Sequence, residues 1–183
     1  MSDDLALKYA AACTTPSDIY LHLPRMVDLV LSLNAQHVVE LGTRTGVSTT
    51  AWLYALAQTG GRLTSVDLDE RPPIGEHDAW TFIQGDDMDR DLFASIDTAD
   101  VVFIDTSHLY GHTVRELDLW RHKVRPGGVI CLHDTQLPIP DGAPPRPLYP
   151  VKKAAMEFIR ETGWDFLNFP DCWGFMVIRV PEE

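Results

Sequence analysis

Aspartate and histidine recur at the ends of two apolar runs, Phe103-Ile104-Asp105-Thr106-Ser107-His108 and Cys131-Leu132-His133-Asp134-Thr135. Carboxylates at such ends suit Mg2+, which keeps several waters or substrate oxygens among its ligands. An imidazole from His133 shifts the preference towards Mn2+, Fe2+ or another transition metal. Asp105, His133 and Asp134 are therefore the candidate cation ligands. His108, with an ordinary imidazole pKa near ~6.5, is a candidate general base for a hydroxyl proton. Each histidine also has a plainer reading: His108 as a cap of the helix that follows, and His133 as a structural residue that orients Asp134. His112 stands four residues after His108, a spacing used by zinc pairs, but Gly111 between them reads as a helix start and argues against zinc.

A second constellation is fit to hold a cofactor. Val38-Val39-Glu40-Leu41-Gly42-Thr43-Arg44-Thr45-Gly46-Val47-Ser48 runs from an apolar strand through a glycine-cornered loop into a helix. Gly42 allows a tight turn and close approach of a ligand, and Gly46 allows helix and strand to pack closely. Free N–H groups at the helix start favour an anion such as a carboxylate. Ser48 adds a hydroxyl there, and Glu40 an acceptor for a ligand ammonium group. Arg44 occupies the position that a dinucleotide pyrophosphate site fills with glycine, which weakens that alternative. Further along, Ser65-Val66-Asp67-Leu68-Asp69 closes a second strand, where an acid can accept both ribose hydroxyls of an adenosine. Gln84-Gly85-Asp86-Asp87 closes a third, placed to meet an adenine edge. The candidate cofactor set is Glu40, Gly42, Thr43, Arg44, Gly46, Ser48, Asp67, Leu68, Gly85, Asp86, Asp87 and Asp105.

Such sites need strand ends gathered on one edge. Short apolar runs alternate with amphipathic stretches, the pattern of repeated βα units around a parallel sheet. Pro24 opens a helix whose stripe is Leu23, Met26, Val27, Val30 and Leu31. Strands are predicted at His37–Leu41, Arg62–Asp67, Trp80–Gln84, Asp100–Asp105 and Val129–Leu132. A turn at Pro126-Gly127-Gly128 precedes the last of these. Ala51, Trp52, Ala55 and Leu56 stripe a helix that Gly60-Gly61 ends; Tyr110, Val114, Leu117 and Val124 give another helical spacing, and Val151, Ala155, Phe158 and Ile159 a last one. Two closing strands, Trp164–Phe169 and Gly174–Val180, form an antiparallel hairpin at the sheet edge. One domain over 1–183 is expected, with N-terminal helices over 1–35, a cofactor-binding core over 36–136, a Pro-rich loop over 137–150, and a C-terminal helix and hairpin over 151–183. His22, His37, His77 and His122 have no partner pattern and are expected at the surface, Trp120 and Trp164 in packing, and Trp173 in the core or an acceptor pocket.

Bulk properties exclude several function classes. The 183 residues suffice for one substantial core. Net charge is -12, which repels phosphate backbones and anionic lipid, so neither nucleic acid nor membrane is an expected partner. No apolar run approaches a bilayer span, the acidic N-terminus is unlike a signal peptide, and a cytoplasmic location is expected. Cys13, Cys131 and Cys172 form no metal or disulfide spacing and read as packed thiols.

The stretch from Val38 to Ser48, with Asp67 and Asp86-Asp87, resembles the class I S-adenosylmethionine-dependent methyltransferases over roughly Gln36 to Val180. The resemblance implies a Rossmann-like α/β domain with a seven-stranded, mostly parallel sheet in the order 3-2-1-4-5-7-6 and helices on both faces. It implies that Glu40, Gly42 and Ser48 hold the methionine end of the cofactor, Asp67 the ribose, and Asp86-Asp87 the adenine. Ile104-Asp105 through His108 and Tyr110, the Glu116-Leu-Asp-Leu-Trp120 helix and Arg125-Pro-Gly-Gly-Val-Ile130 before His133-Asp134 resemble a narrower branch. That branch is the small cation-dependent O-methyltransferases (methyltransferase domain 24), including macrolide-sugar O-methyltransferases and cephalosporin hydroxylase-like proteins. It implies an acid at Asp105 and a pair at His133-Asp134 holding Mg2+ or another divalent cation, with His108 removing the hydroxyl proton. His133 stands where an acid is often found.

The expected reaction is methyl transfer from S-adenosylmethionine to a hydroxyl of a small molecule, a sugar or natural-product acceptor. The rival readings are a nicotinamide-dependent Rossmann oxidoreductase and a non-catalytic S-adenosylmethionine-binding protein. The segment from Gln136 to Pro150 holds six prolines and bears Asp141, Arg146 and Tyr149; it is expected to be a stiff lid over the acceptor. No cap domain fits in the short N-terminal stretch, so loops or a second subunit must cover the site, which favours a homodimer.

Overall fold

The computed structural model describes residues 3–138 and 149–182. Its centre is a seven-stranded sheet in the order β3-β2-β1-β4-β5-β7-β6. The strands are β1 (His37–Leu41), β2 (Arg62–Asp67), β3 (Trp80–Gln84), β4 (Ala99–Ile104), β5 (Val124–His133), β6 (Phe166–Phe169) and β7 (Phe175–Arg179). β1 to β5 run parallel, and β7 is antiparallel to both β5 and β6. This is the expected order, with the closing hairpin inverted onto β5. β1 and β4 are buried at every residue, which explains their mostly apolar sequence: both faces are covered.

The cover comes from α1 (Asp3–Thr14), α2 (Leu23–Leu33) and α3 (Val47–Thr59) on one side, and α5 (Tyr110–Trp120) and α6 (Pro150–Thr162) on the other. A short α4 (Arg90–Ser95) is capped by Asp89, whose carboxylate accepts from the N–H groups of Asp91 and Leu92. α2 buries Leu23, Met26, Val27 and Val30 as its spacing predicts but leaves Leu31, the fifth member of the expected stripe, exposed; it opens at Pro24 and stops on left-handed Asn34. Among the described residues no helix is long and apolar enough to cross a membrane.

Three expectations need correction. The turn expected at Pro126-Gly127-Gly128 lies inside β5, because an irregularity in the β4–β5 register absorbs it without ending the strand. α5 turns Thr113, Glu116, Leu117 and Trp120 inward, so Leu117 is buried as expected, but Val114 is exposed and Val124 opens β5, and two polar residues join the inner face. His22 and His37 are buried, since their rings find partners. His37 meets the Thr98 carbonyl at 3.0 Å and the Thr64 hydroxyl at 2.9 Å; His22 meets the Asp171 carbonyl at 2.8 Å and lies against the Phe175 ring. Burial of a polar ring is cheap once both nitrogens are matched. Trp120 packs in the core and Trp164 against Phe158, but Trp173 is half exposed and belongs to no core. Most of the expected lid lies outside the described residues.

Candidate active site

In a doubly wound sheet the crevice opens where the strand order reverses, beyond the carboxyl ends of the strands. Here that point lies between β1 and β4, and a cleft of about 1100 Å3 opens there. That volume accommodates a nucleoside cofactor together with a small second molecule. The β1–α3 loop, the ends of β2 and β3, the β4–α5 loop and Asp134 line it. Pro16 to Ile19, the link between α1 and α2, supplies a further wall that the sequence did not announce.

Gly42 sits at the crossing of β1 and β4. A Cβ there would lie 2.0 Å from the Asp105 carbonyl oxygen, and its φ of 88° is left-handed. Gly46 caps α3, also at positive φ, with Ile74 and Pro72 closing over it. Asp67 organises the loop between them. Its Oδ2 accepts from the Thr43 N–H at 2.6 Å, the Thr43 hydroxyl at 2.9 Å and the Arg44 N–H at 3.1 Å, and its Oδ1 from the Asp69 N–H at 3.0 Å. Burial opposes the charge, but these donors win and hold the carboxyl below its ordinary range. Arg44 reaches across to an ion pair with Asp18 on the opposite wall. Leu68 is 70% exposed, Gly85 and Asp86 line the cleft beside it, and the Asp87 carboxylate turns towards His112 and Glu116.

Glu40 lies beneath the loop and exposes no surface. Oε1 accepts from Ser48 at 2.6 Å, and Oε2 from Thr49 at 2.9 Å and Ser65 at 2.6 Å. It thus anchors the start of α3 to β2, with Ser48 between it and the cleft. Burial raises its pKa to about 7, despite the hydroxyls that favour the anion. The folded state keeps this proton between the ordinary carboxyl value near ~4.3 and about 7 while the unfolded chain gives it up, so stability falls as pH rises across that window and is level above it. Glu40→Gln is expected to remove that slope. Its stability relative to the parent should climb by roughly 2–4 kcal/mol between pH ~4 and ~8 in urea titrations. A constant difference between the two proteins would contradict this assignment.

Asp105, His108 and Asp134 line the other half of the cleft, with His133 buried behind them. His108 Nε2 is 2.7 Å from Asp134 Oδ2 and 3.3 Å from Asp105 Oδ1. It does not cap α5, whose N-cap is Leu109 without a side-chain bond. His133 Nε2 faces two carbonyl oxygens, of Asp18 at 3.1 Å and Cys172 at 3.2 Å, so it carries a hydrogen and donates. His133 Nδ1 then points at Asp105 Oδ1, 3.5 Å away, and Asp134 Oδ1, 3.4 Å away. Nδ1 and Asp134 Oδ1 are buried without a hydrogen-bond partner among the described residues. Burial disfavours charge on these histidines, yet the facing carboxylates of Asp105 and Asp134 raise His108 to about 9 and His133 to about 11. The same contacts hold both carboxyls below their ordinary range. His108 and Asp134 both adopt left-handed backbone, φ 53° and 58°, a strain typical of functional sites.

This donor set fits a divalent cation. Asp105, His108 and Asp134 offer atoms that lie within 4.8 Å of one another. His133 Nδ1 and Asp134 Oδ1, buried and 3.4 Å apart, adjoin this group.

Residues 39–135 match the family model described as a methyltransferase domain. No curated protein matches the chain. Among solved structures, the SAH-bound methyltransferase PaMTH1 of Podospora anserina is similar at 18% identity and a TM-score of 0.68, over 98% of this chain and 88% of that one. A candidate caffeoyl-CoA O-methyltransferase from Staphylococcus aureus is similar at 13% identity and a TM-score of 0.72, over 98% and 93%. MycE, the methyltransferase of the mycinamycin pathway in complex with Mg, SAH and mycinamycin VI, is similar at 16% identity and a TM-score of 0.73, over all of this chain and 55% of that one. At these identities the likeness is one of fold.

Proposed function

The chain belongs to the methyltransferase-domain family, and from that premise we propose that it moves the methyl group of S-adenosylmethionine to a hydroxyl of a small molecule. The observation that carries the reading is that a histidine held by two acids stands in the same cleft as the glycine-cornered loop and Asp67. The cofactor supplies an electrophilic methyl on a sulfonium. The Gly42–Ser48 loop offers its N–H groups and the Ser48 hydroxyl to the methionine end, Asp67 accepts from the ribose, and Leu68, Gly85 and Asp86 border the adenine. His108, held through Nε2 by the two acids, takes the acceptor's hydroxyl proton on its other ring nitrogen while the oxygen–methyl bond forms and the sulfur–methyl bond breaks. Holding oxygen and methyl in line is the larger part of the catalysis. Asp105 and Asp134, with His133 beside them, would hold a divalent cation, which would orient the acceptor oxygen and lower its pKa.

Charge supports a small acceptor. Asp18, Asp67, Asp69, Asp86, Asp87, Asp105 and Asp134 line the cleft against Arg44 and Arg115, a field hostile to phosphodiesters. A sugar or other hydroxylated natural product meets no such barrier.

Asp67→Ala removes the acceptor for the Thr43 and Arg44 N–H groups as well as for the ribose. We expect S-adenosylmethionine affinity to fall by at least ~10–100-fold, the scale of one charged hydrogen-bonding group. Calorimetric titration of both proteins, with and without Mg2+ or Mn2+, measures this. No binding by the parent protein under any condition would sink the reading and redirect attention to nicotinamide cofactors. Cofactor binding with no turnover on any hydroxylated acceptor would favour a non-catalytic binding protein.

A further inference from the structure

We propose that Asp87, His112 and Glu116 form a second divalent-cation site, suited to Zn2+ or Mn2+, in the wall of the cleft between the end of β3 and α5. His112 and Glu116 lie one helical turn apart on α5, so their side chains share a face. Asp87 approaches from β3, held there by a hydrogen bond from Trp120 Nε1 to its carbonyl at 3.1 Å. One nitrogen faces both acids: His112 Nε2 is 3.3 Å from Asp87 Oδ1 and 3.4 Å from Glu116 Oε1. Those separations exceed the ~2.7–2.9 Å of a charge-assisted hydrogen bond. They match the ~3.3 Å between ligands of a tetrahedral ion bound at ~2.0–2.1 Å.

The acids themselves call for a cation. Glu116 is wholly buried and Asp87 is 8% exposed, and Glu116 Oε2 and Asp87 Oδ2 have no hydrogen-bond partner among the described residues. Two carboxyl groups set side by side away from water repel unless a proton or an ion lies between them. The Thr106 hydroxyl donates to Glu116 Oε1 at 2.6 Å, the kind of outer contact that orients a ligating carboxylate. One imidazole with two carboxylates prefers Zn2+ or Mn2+ to the all-oxygen choice of Ca2+ or Mg2+. His112 and Asp87 border the cleft, so a fourth ligand can enter from it. No residue is shared with Asp105, His108 and Asp134.

The test is the ion count per chain, by equilibrium dialysis of stripped protein against Zn2+ and elemental analysis. His112→Ala should hold one ion fewer than the parent, while an Asp105→Asn, Asp134→Asn double variant should keep one. Co2+ gives a second readout: tetrahedral visible absorption should persist in the double variant and vanish in both His112→Ala and Glu116→Gln, each checked for folding by circular dichroism. An ion count unchanged by His112→Ala, or Co2+ absorption lost only in the double variant, would overturn the proposal and leave Asp87 and Glu116 as a pair sharing a proton. Neither readout uses S-adenosylmethionine, so failure here is distinct from failure of the methyl-transfer reading.

Discussion

His108→Ala is expected to lower kcat by ~10^2–10^4-fold, the usual contribution of a positioned general base, while leaving the affinity for S-adenosylmethionine nearly unchanged. The expectation rests on position. His108 stands at the mouth of the β4–α5 loop, about a third exposed to the cleft, and its Nε2 is fixed by Asp134 at 2.7 Å and Asp105 at 3.3 Å. Both acids come from strand ends that the sheet itself immobilises, so the imidazole cannot wander. The two acids also set a condition. They outweigh burial and raise the His108 pKa to about 9, so near neutrality the ring carries a proton and is a poor base. A cation on Asp105 and Asp134 opposes those charges and frees the ring. In the presence of a chelator, activity should therefore rise with pH towards about 9, and Mn2+ or Mg2+ should move the rise to lower pH. Release of SAH against a panel of hydroxylated small molecules follows the reaction, with calorimetry reporting cofactor affinity. A variant that loses cofactor binding together with turnover would mark His108 as structural. One that keeps full turnover would remove it from the mechanism.

The residues of this site differ in how legible they were. Val38–Ser48, Asp67 and Asp105 are readable because parallel strands buried on both faces must be continuous apolar runs, and the polar residue ending such a run must sit at the sheet's carboxyl edge. His133-Asp134 follows by the same logic. Side-chain direction was not readable. Glu40 reads as a ligand for an ammonium group, but three hydroxyls from Ser48, Thr49 and Ser65 enclose it, and only folding brings β2 and α3 together around it. The wall made by Pro16 to Ile19 was hidden for a related reason. Asp18 meets His133 through its carbonyl across 115 positions, and a backbone acceptor leaves no mark on residue type. His22 and His37 were misplaced because what buries a histidine is a pair of distant partners, Asp171 and Phe175 for one, Thr64 and Thr98 for the other. In α5 the His112–Glu116 pair went unread, because Asp87, the third member, joins it only through the turn that follows β3.

Gly42→Ala should be the most damaging glycine-to-alanine change among the described residues. The left-handed φ of 88° costs any residue with a Cβ ~1–2 kcal/mol. The larger cost is steric, since the new carbon would lie 2.0 Å from the Asp105 carbonyl oxygen and 2.8 Å from its carbon. Neither backbone can yield cheaply. Gly42 N–H donates to Val66 at 2.8 Å and Asp105 N–H to Leu41 at 2.9 Å, so separating β1 from β4 breaks the ladder on which the cleft stands. A loss on the order of 3–5 kcal/mol follows, or a fall in Tm of about 10 °C for a chain of this size. Whatever still folds should have lost S-adenosylmethionine binding and the grip of Asp105 on His108 together, because the shifted carbonyl belongs to Asp105. Gly60→Ala is the control: its φ of 76° carries the same conformational cost, but nothing lies within 4 Å of its added carbon. Thermal melts of the two variants separate conformational strain from collision. Equal losses would mean that β1 and β4 do not approach so closely; a loss at Gly42 exceeding that at Gly60 by ~2 kcal/mol or more would place the collision at the base of the active site.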